Sequence, residues 1–120
     1  MGVNLSPSEI QTLIDDIVER LARLAISRII VFGSSVNGGL GPDSDIDLAI
    51  VVSEPKRFSS YDSRLEAKAQ IRKQIHDINE AQPIAILLYT EAEFSCLLRE
   101  GGFVAEEIVS RGRTVHKKAS

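Results

Sequence analysis

Ile29-Ile30-Val31-Phe32-Gly33-Ser34-Ser35-Val36-Asn37-Gly38-Gly39-Leu40-Gly41-Pro42-Asp43-Ser44-Asp45-Ile46-Asp47-Leu48-Ala49-Ile50-Val51-Val52 is the stretch that decides the fold. Two apolar runs rich in β-branched residues, Ile26 to Phe32 and Ile46 to Val52, predict buried strands. The Asn, Gly, Pro and Asp residues between them form a turn-rich loop, and so short a connection predicts antiparallel pairing. Gly33-Ser34, at the mouth of the first strand, offers backbone N–H groups and a hydroxyl to a phosphate, and Gly33 permits close approach. Asp45 and Asp47 are two residues apart, which on a strand turns both carboxylates to one face. Each signal alone is common, since Gly-Ser turns abound and Asp43, Ser44 and Asp45 also read as turn residues entering a strand. Their combination is more specific. Two carboxylates beside a phosphate cradle repel each other unless a divalent cation lies between them, and Mg²⁺ takes a few carboxylates, waters and phosphate oxygens. With two metals, such a site activates an attacking oxygen and stabilises leaving pyrophosphate.

Outward from this stretch, Ser6-Pro7-Ser8-Glu9 carries the signature of a helix start, with Ser6 as cap and Glu9 completing a capping box. Ile10, Leu13, Ile14, Ile17, Val18, Leu21 and Leu24 then recur at helical spacing and predict one apolar face. A second helix is predicted from Tyr61 to Ile78, with Leu65, Ala69, Ile71, Ile75 and Ile78 buried. Pro83 ends it, and Ile84 to Tyr89 predicts a third strand. Thr90-Glu91-Ala92-Glu93 is another capping box, opening a helix to about Arg99 that Gly101-Gly102 breaks. A short helix from Phe103 to Ser110 and a strand from Thr114 to His116 complete the pattern. The expected fold class is α+β, a small mixed sheet packed against helices, in a single domain over residues 1–120.

A chain of 120 residues, 43% hydrophobic and 26% charged, has the composition of a soluble globular domain. No apolar run approaches the ~20 residues of a membrane helix, and no secretory leader is evident, so a cytoplasmic location without a membrane partner is expected. The single Cys96, among Phe94, Leu97 and Leu98, suits a reducing compartment and reads as a core or near-core residue. A net charge of -3 gives little from which to build a basic face, so no long nucleic acid is expected as a partner. Arg111, Arg113, Lys117 and Lys118 read as a solvated basic end, and His76 and His116 as surface residues without metal-ligand spacing. Met1 to Ser6 matches a myristoylation pattern, a short match of the kind that chance produces.

From Phe32 to Val52 the chain resembles the DNA polymerase β-like nucleotidyltransferase superfamily, in particular its minimal nucleotidyltransferase members. The resemblance rests on Gly33-Ser34, Gly38 and Ser44-Asp45-Ile46-Asp47, and the order of helices and strands extends it over most of the chain. It implies that Gly33 and Ser34, with Ser35 beside them, hold a nucleoside triphosphate such as ATP. It implies that Asp45 and Asp47 ligate Mg²⁺ and are the catalytic carboxylates. The implied reaction is transfer of a nucleoside monophosphate from the triphosphate to a hydroxyl acceptor. Small members of this family are often paired with a HEPN-type protein in toxin–antitoxin operons, so such a partner, or a homo-oligomer, is also implied.

Two departures qualify the resemblance. Active members usually carry a third carboxylate on the strand after the long helix, and the matching position here is Ala85, on a strand without acids. Asp77 and Glu80 lie upstream and reach the site only if the backbone turns them inward. The basic residues often found just after Gly-Ser are replaced by Ser35 and Asn37. A non-catalytic, antitoxin-like binding module is therefore the alternative to an enzyme.

Overall fold

The computed structural model describes residues 6–36 and 45–118, and of residues 34 and 35 the backbone alone. The readings of Met1 to Leu5, the Asn37 to Asp43 loop, Gly38 and Ser44 lie outside the described residues, as do the Ser34 and Ser35 side chains.

Helix α1, Pro7–Leu21, starts as its capping box requires: Glu9 N donates to Ser6 Oγ at 3.3 Å, and Ser6 N to Glu9 Oε1 at 3.0 Å. It buries Ile10, Ile14, Ile17 and Leu21, while Leu13, Val18 and Leu24 pack at the margin of the same core. Strands β1, Ile26–Phe32, and β2, Ile46–Val52, pair antiparallel as expected. Between them a 3₁₀ turn covers Gly33–Val36.

The long helix is interrupted. α2 runs Tyr61–Gln74 and α3 His76–Ala81, with Ile75 between them at φ -120°, ψ 20°. Ile75 leaves helical geometry while its side chain is fully buried, and Arg20 Nη1 reaches the Gln74 carbonyl at the break. Ile71, Ile75 and Ile78 are buried as expected, but Leu65 is 44% exposed and Ala69 is exposed too. Helical geometry explains this correction. At about 100° per residue, Leu65 lies about 120° around the helix from Ile71, and Ala69 about 160° from it. The inward stripe is instead Ala67, Ile71 and Ile75.

β3, Ile84–Thr90, returns parallel to β2, and the α2–α3 segment supplies the crossover that parallel pairing needs. α4, Glu91–Glu100, is capped by Thr90, whose Oγ1 accepts from Glu93 N at 3.2 Å. A π-helix, Val104–Ser110, replaces the expected α-helical turn, and β4, Arg113–Lys117, pairs antiparallel with β1. Sheet order is β3-β2-β1-β4, so the chain is α+β. The basic end is thus an edge strand carrying Arg113 and Lys117, charges that discourage edge-to-edge pairing. His116 sits half-buried within it, opposite Ile29. One face of the sheet packs on α1, α2 and α3. The other packs Ile30, Phe32, Ala49 and Val51 against Phe94 of α4 and Val104 and Ile108 of the π-helix. Among the described residues no helix is long and apolar enough to cross a membrane.

Candidate functional site

The register places Asp47 between Phe32 on β1 and Ala85 on β3, at the end of the sheet where β1 leaves and β2 and β3 enter. Gly33 follows Phe32 at φ +78°, a left-handed conformation that favours glycine. A Cβ on Gly33 would stand 2.3 Å from Asp47 Oδ2. The Asp47 carboxylate therefore lies directly against the Gly33 backbone, in space that any other residue would fill. The two halves of the sequence motif meet at atomic contact.

Asp45 is exposed and immediately precedes β2. Burial, and secondarily the Asp45 charge, push the Asp47 carboxyl above the usual carboxylate range. Among the described residues, no Lys, Arg or His forms an ion pair with either acid. A half-buried carboxylate raised by burial and, second, by a like charge, with no cationic partner among the described residues, fits a hard divalent cation. The protein offers two carboxylates, leaving other positions to phosphate oxygens and water. Among the described residues no cluster of three or more His, Cys, Asp or Glu forms a fuller ligand set.

The family resemblance matches the third carboxylate to Ala85, and Ala85 is the direct partner of Asp47 in the parallel pair. Asp77 and Glu80 do not replace it, because Asp77 pairs with Arg20 and Glu80 with His76. His76 is exposed. Cys96 is half-buried on α4, with Sγ 3.7 Å from Glu100 Oε1 and 3.9 Å from Arg57 Nη2. It lines a cleft of about 340 Å³ with Arg57, Arg64 and Tyr89, at the far end of β3 from Ala85. The sequence carried no signal for the packing of Phe103 on Phe32, the cross-strand partner of Asp47, because the two rings are distant in the chain and meet only in the fold.

The family model for the nucleotidyltransferase domain matches residues 12–115. The chain belongs to this family. The nucleotidyltransferase resemblance drawn from Gly33-Ser34 and Asp45-Ile46-Asp47 is thereby borne out. Spectinomycin 9-adenylyltransferase of Enterococcus faecalis is 35% identical over 63 residues, covering 52% of this nucleotidyltransferase chain and 25% of that protein. The chain thus spans about a quarter of the length of the curated relative it matches. A crystal structure of a mutant toxin–antitoxin MntA-HpeT pair aligns at a TM-score of 0.45 and 17% identity, over 95% of this chain and 75% of that one.

Proposed function

We propose that this nucleotidyltransferase chain acts as one domain over residues 1–120, transferring a nucleoside monophosphate from ATP to a hydroxyl acceptor in the cytoplasm. The observation that carries the reading is the contact of the Asp47 carboxylate with the Gly33 backbone, which joins a phosphate turn to a metal-binding acid. The likeness to an adenylyltransferase supports ATP as the donor. Gly33, Ser34 and Ser35 hold the triphosphate through turn N–H groups and hydroxyls, and Asp45 and Asp47 hold Mg²⁺. When bound, the metal neutralises phosphate charge and lowers the pKa of the attacking hydroxyl. The acceptor oxygen forms its bond to the α-phosphorus as the bond to the bridging oxygen breaks and pyrophosphate leaves. Position 85 presents only a methyl group, so the acceptor proton passes to water rather than to a third carboxylate. That loss makes transfer slow.

Ala85 also favours a second reading, a non-catalytic module that masks a HEPN-type partner or assembles with copies of itself. Incubation with Mg²⁺, α-labelled ATP and a panel of protein and small-molecule hydroxyl acceptors separates the two. Transfer that disappears in Asp45→Ala and Asp47→Ala is the enzymatic result. Transfer no greater than in those variants, together with a stable complex on co-expression with a helical partner, leaves the binding module.

A further inference from the structure

We propose that Phe103 is the surface on which the nucleobase of the bound triphosphate stacks. The inference rests on the reading of Gly33 and Asp47 as a triphosphate site and names the part of the protein that meets the other end of the nucleotide.

Phe32 and Asp47 are direct cross-strand partners, so their side chains lie about 5 Å apart at Cβ on the same face of the sheet. Phe32 is 8% exposed, and the Phe103 ring packs perpendicular to it, with centroids 5.9 Å apart and planes at 86°. Phe103 therefore stands one ring beyond the neighbour of the carboxylate. It remains 53% exposed. Edge-to-face packing on Phe32 fixes the orientation of the ring while leaving surface open to a planar ligand.

The backbone holds this ring in place. Gly101 and Gly102 take φ +76° and +91°, turning the chain sharply out of α4 and delivering Phe103 to the start of the π-helix. Val104 and Ile108 of that helix are buried in the core under Ala49 and Val51, which anchors the segment. π-Helical segments are rare and recur at functional sites. On the opposite flank of Asp47 the strand offers Ala85 and Leu87, neither of them aromatic. A triphosphate seated on the Gly33 turn with its α-phosphate at Asp47 thus has an aromatic ring on the β1 side and a small aliphatic surface on the β3 side. The first suits a base and leaves the second for the acceptor.

Calorimetric titration of ATP and of inorganic triphosphate, each with Mg²⁺, into wild type, Phe103→Ala and Phe103→Trp tests this. Phe103→Ala is expected to weaken ATP about tenfold, the size of one lost base–aromatic stack, and to leave inorganic triphosphate unchanged. Phe103→Trp is expected to retain ATP binding. Because the chain contains no Trp, the introduced indole is the sole such fluorophore, and ATP but not inorganic triphosphate should quench it. Unchanged ATP affinity in Phe103→Ala, or equal weakening of both ligands, overturns the base platform while leaving the phosphate site standing. A wild-type protein that binds neither ligand overturns the phosphate site itself, and the platform with it.

Discussion

Replacing Gly33 by Ala probes the contact on which the functional reading depends, and its two effects separate by size. At φ +78° an L side chain is strained, at a cost of about 1–2 kcal/mol. The new Cβ also falls 2.3 Å from Asp47 Oδ2. That atom is the free end of a side chain, so Asp47 can rotate away, at about 0.5–1.5 kcal/mol if it is forced off a preferred rotamer. The collision therefore costs little stability but removes the carboxylate from the Gly33 backbone. Gly101→Ala is the control for a positive φ without a collision: at φ +76°, ψ -174° the backbone is in a region that glycine alone adopts readily, yet an added Cβ meets nothing within 4 Å. By urea denaturation, Gly101→Ala should lose about 1–3 kcal/mol from backbone strain alone, and Gly33→Ala about 1–3.5 kcal/mol. Transfer activity should fall about 10²-fold in Gly33→Ala alone, the scale set by displacing a reacting group by about 1 Å. In an Asp47→Ala background the cost of Gly33→Ala should drop by the collision term, up to about 1.5 kcal/mol, while that of Gly101→Ala should not change. Strict additivity of the two substitutions, with activity retained in Gly33→Ala, would refute the argument that the glycine exists to seat the carboxylate.

Ala85→Asp places a third acid beside Asp47, so the variant should be less stable than wild type in a chelator yet gain more from Mg²⁺. At a free Mg²⁺ concentration a hundredfold above the dissociation constant the gain is about 2.7 kcal/mol, read as a larger Mg²⁺-dependent rise in Tm than in wild type. Ile17→Ala, at a fully buried position of α1, should cost about 2–5 kcal/mol, whereas Leu65→Ala, 44% exposed on α2, should stay within about 0.5 kcal/mol by the same denaturation assay. Asp77 is held below its ordinary carboxylate value chiefly by the hydrogen bond from Arg20. A lowered folded-state value stabilises the protein above the ordinary value and loses that contribution as pH falls through the lower one. Asp77→Asn should therefore lower Tm near neutral pH, and the difference from wild type should close in acid.

Much of the local architecture was legible from the chain because it is governed by nearest neighbours. The Ser6–Glu9 and Thr90–Glu93 boxes mark helix starts, the β-branched runs mark strands, and Gly101-Gly102 marks a stop. Each is a property of a few adjacent residues. The candidate acids were legible for the same reason, since they are two acidic residues spaced two apart at the entrance to a strand, Asp45 just before β2 and Asp47 within it. Reading failed where partners are remote. The break at Ile75 is supported by Arg20 from α1, and the burial pattern of α2 is set by the sheet it crosses rather than by its own weak periodicity.

From its sequence alone the chain showed Gly33-Ser34 and Asp45-Ile46-Asp47, residue types at fixed spacing, and the family resemblance they carry pointed to Ala85 as the position where other members hold a third acid. Tertiary structure alone decided that Asp47 rests against Gly33, that Ala85 is its neighbour across the parallel pair, and that Phe103 packs on Phe32, the cross-strand partner of Asp47. Those are contacts between segments far apart in the chain, and only strand register and helix packing bring such segments together.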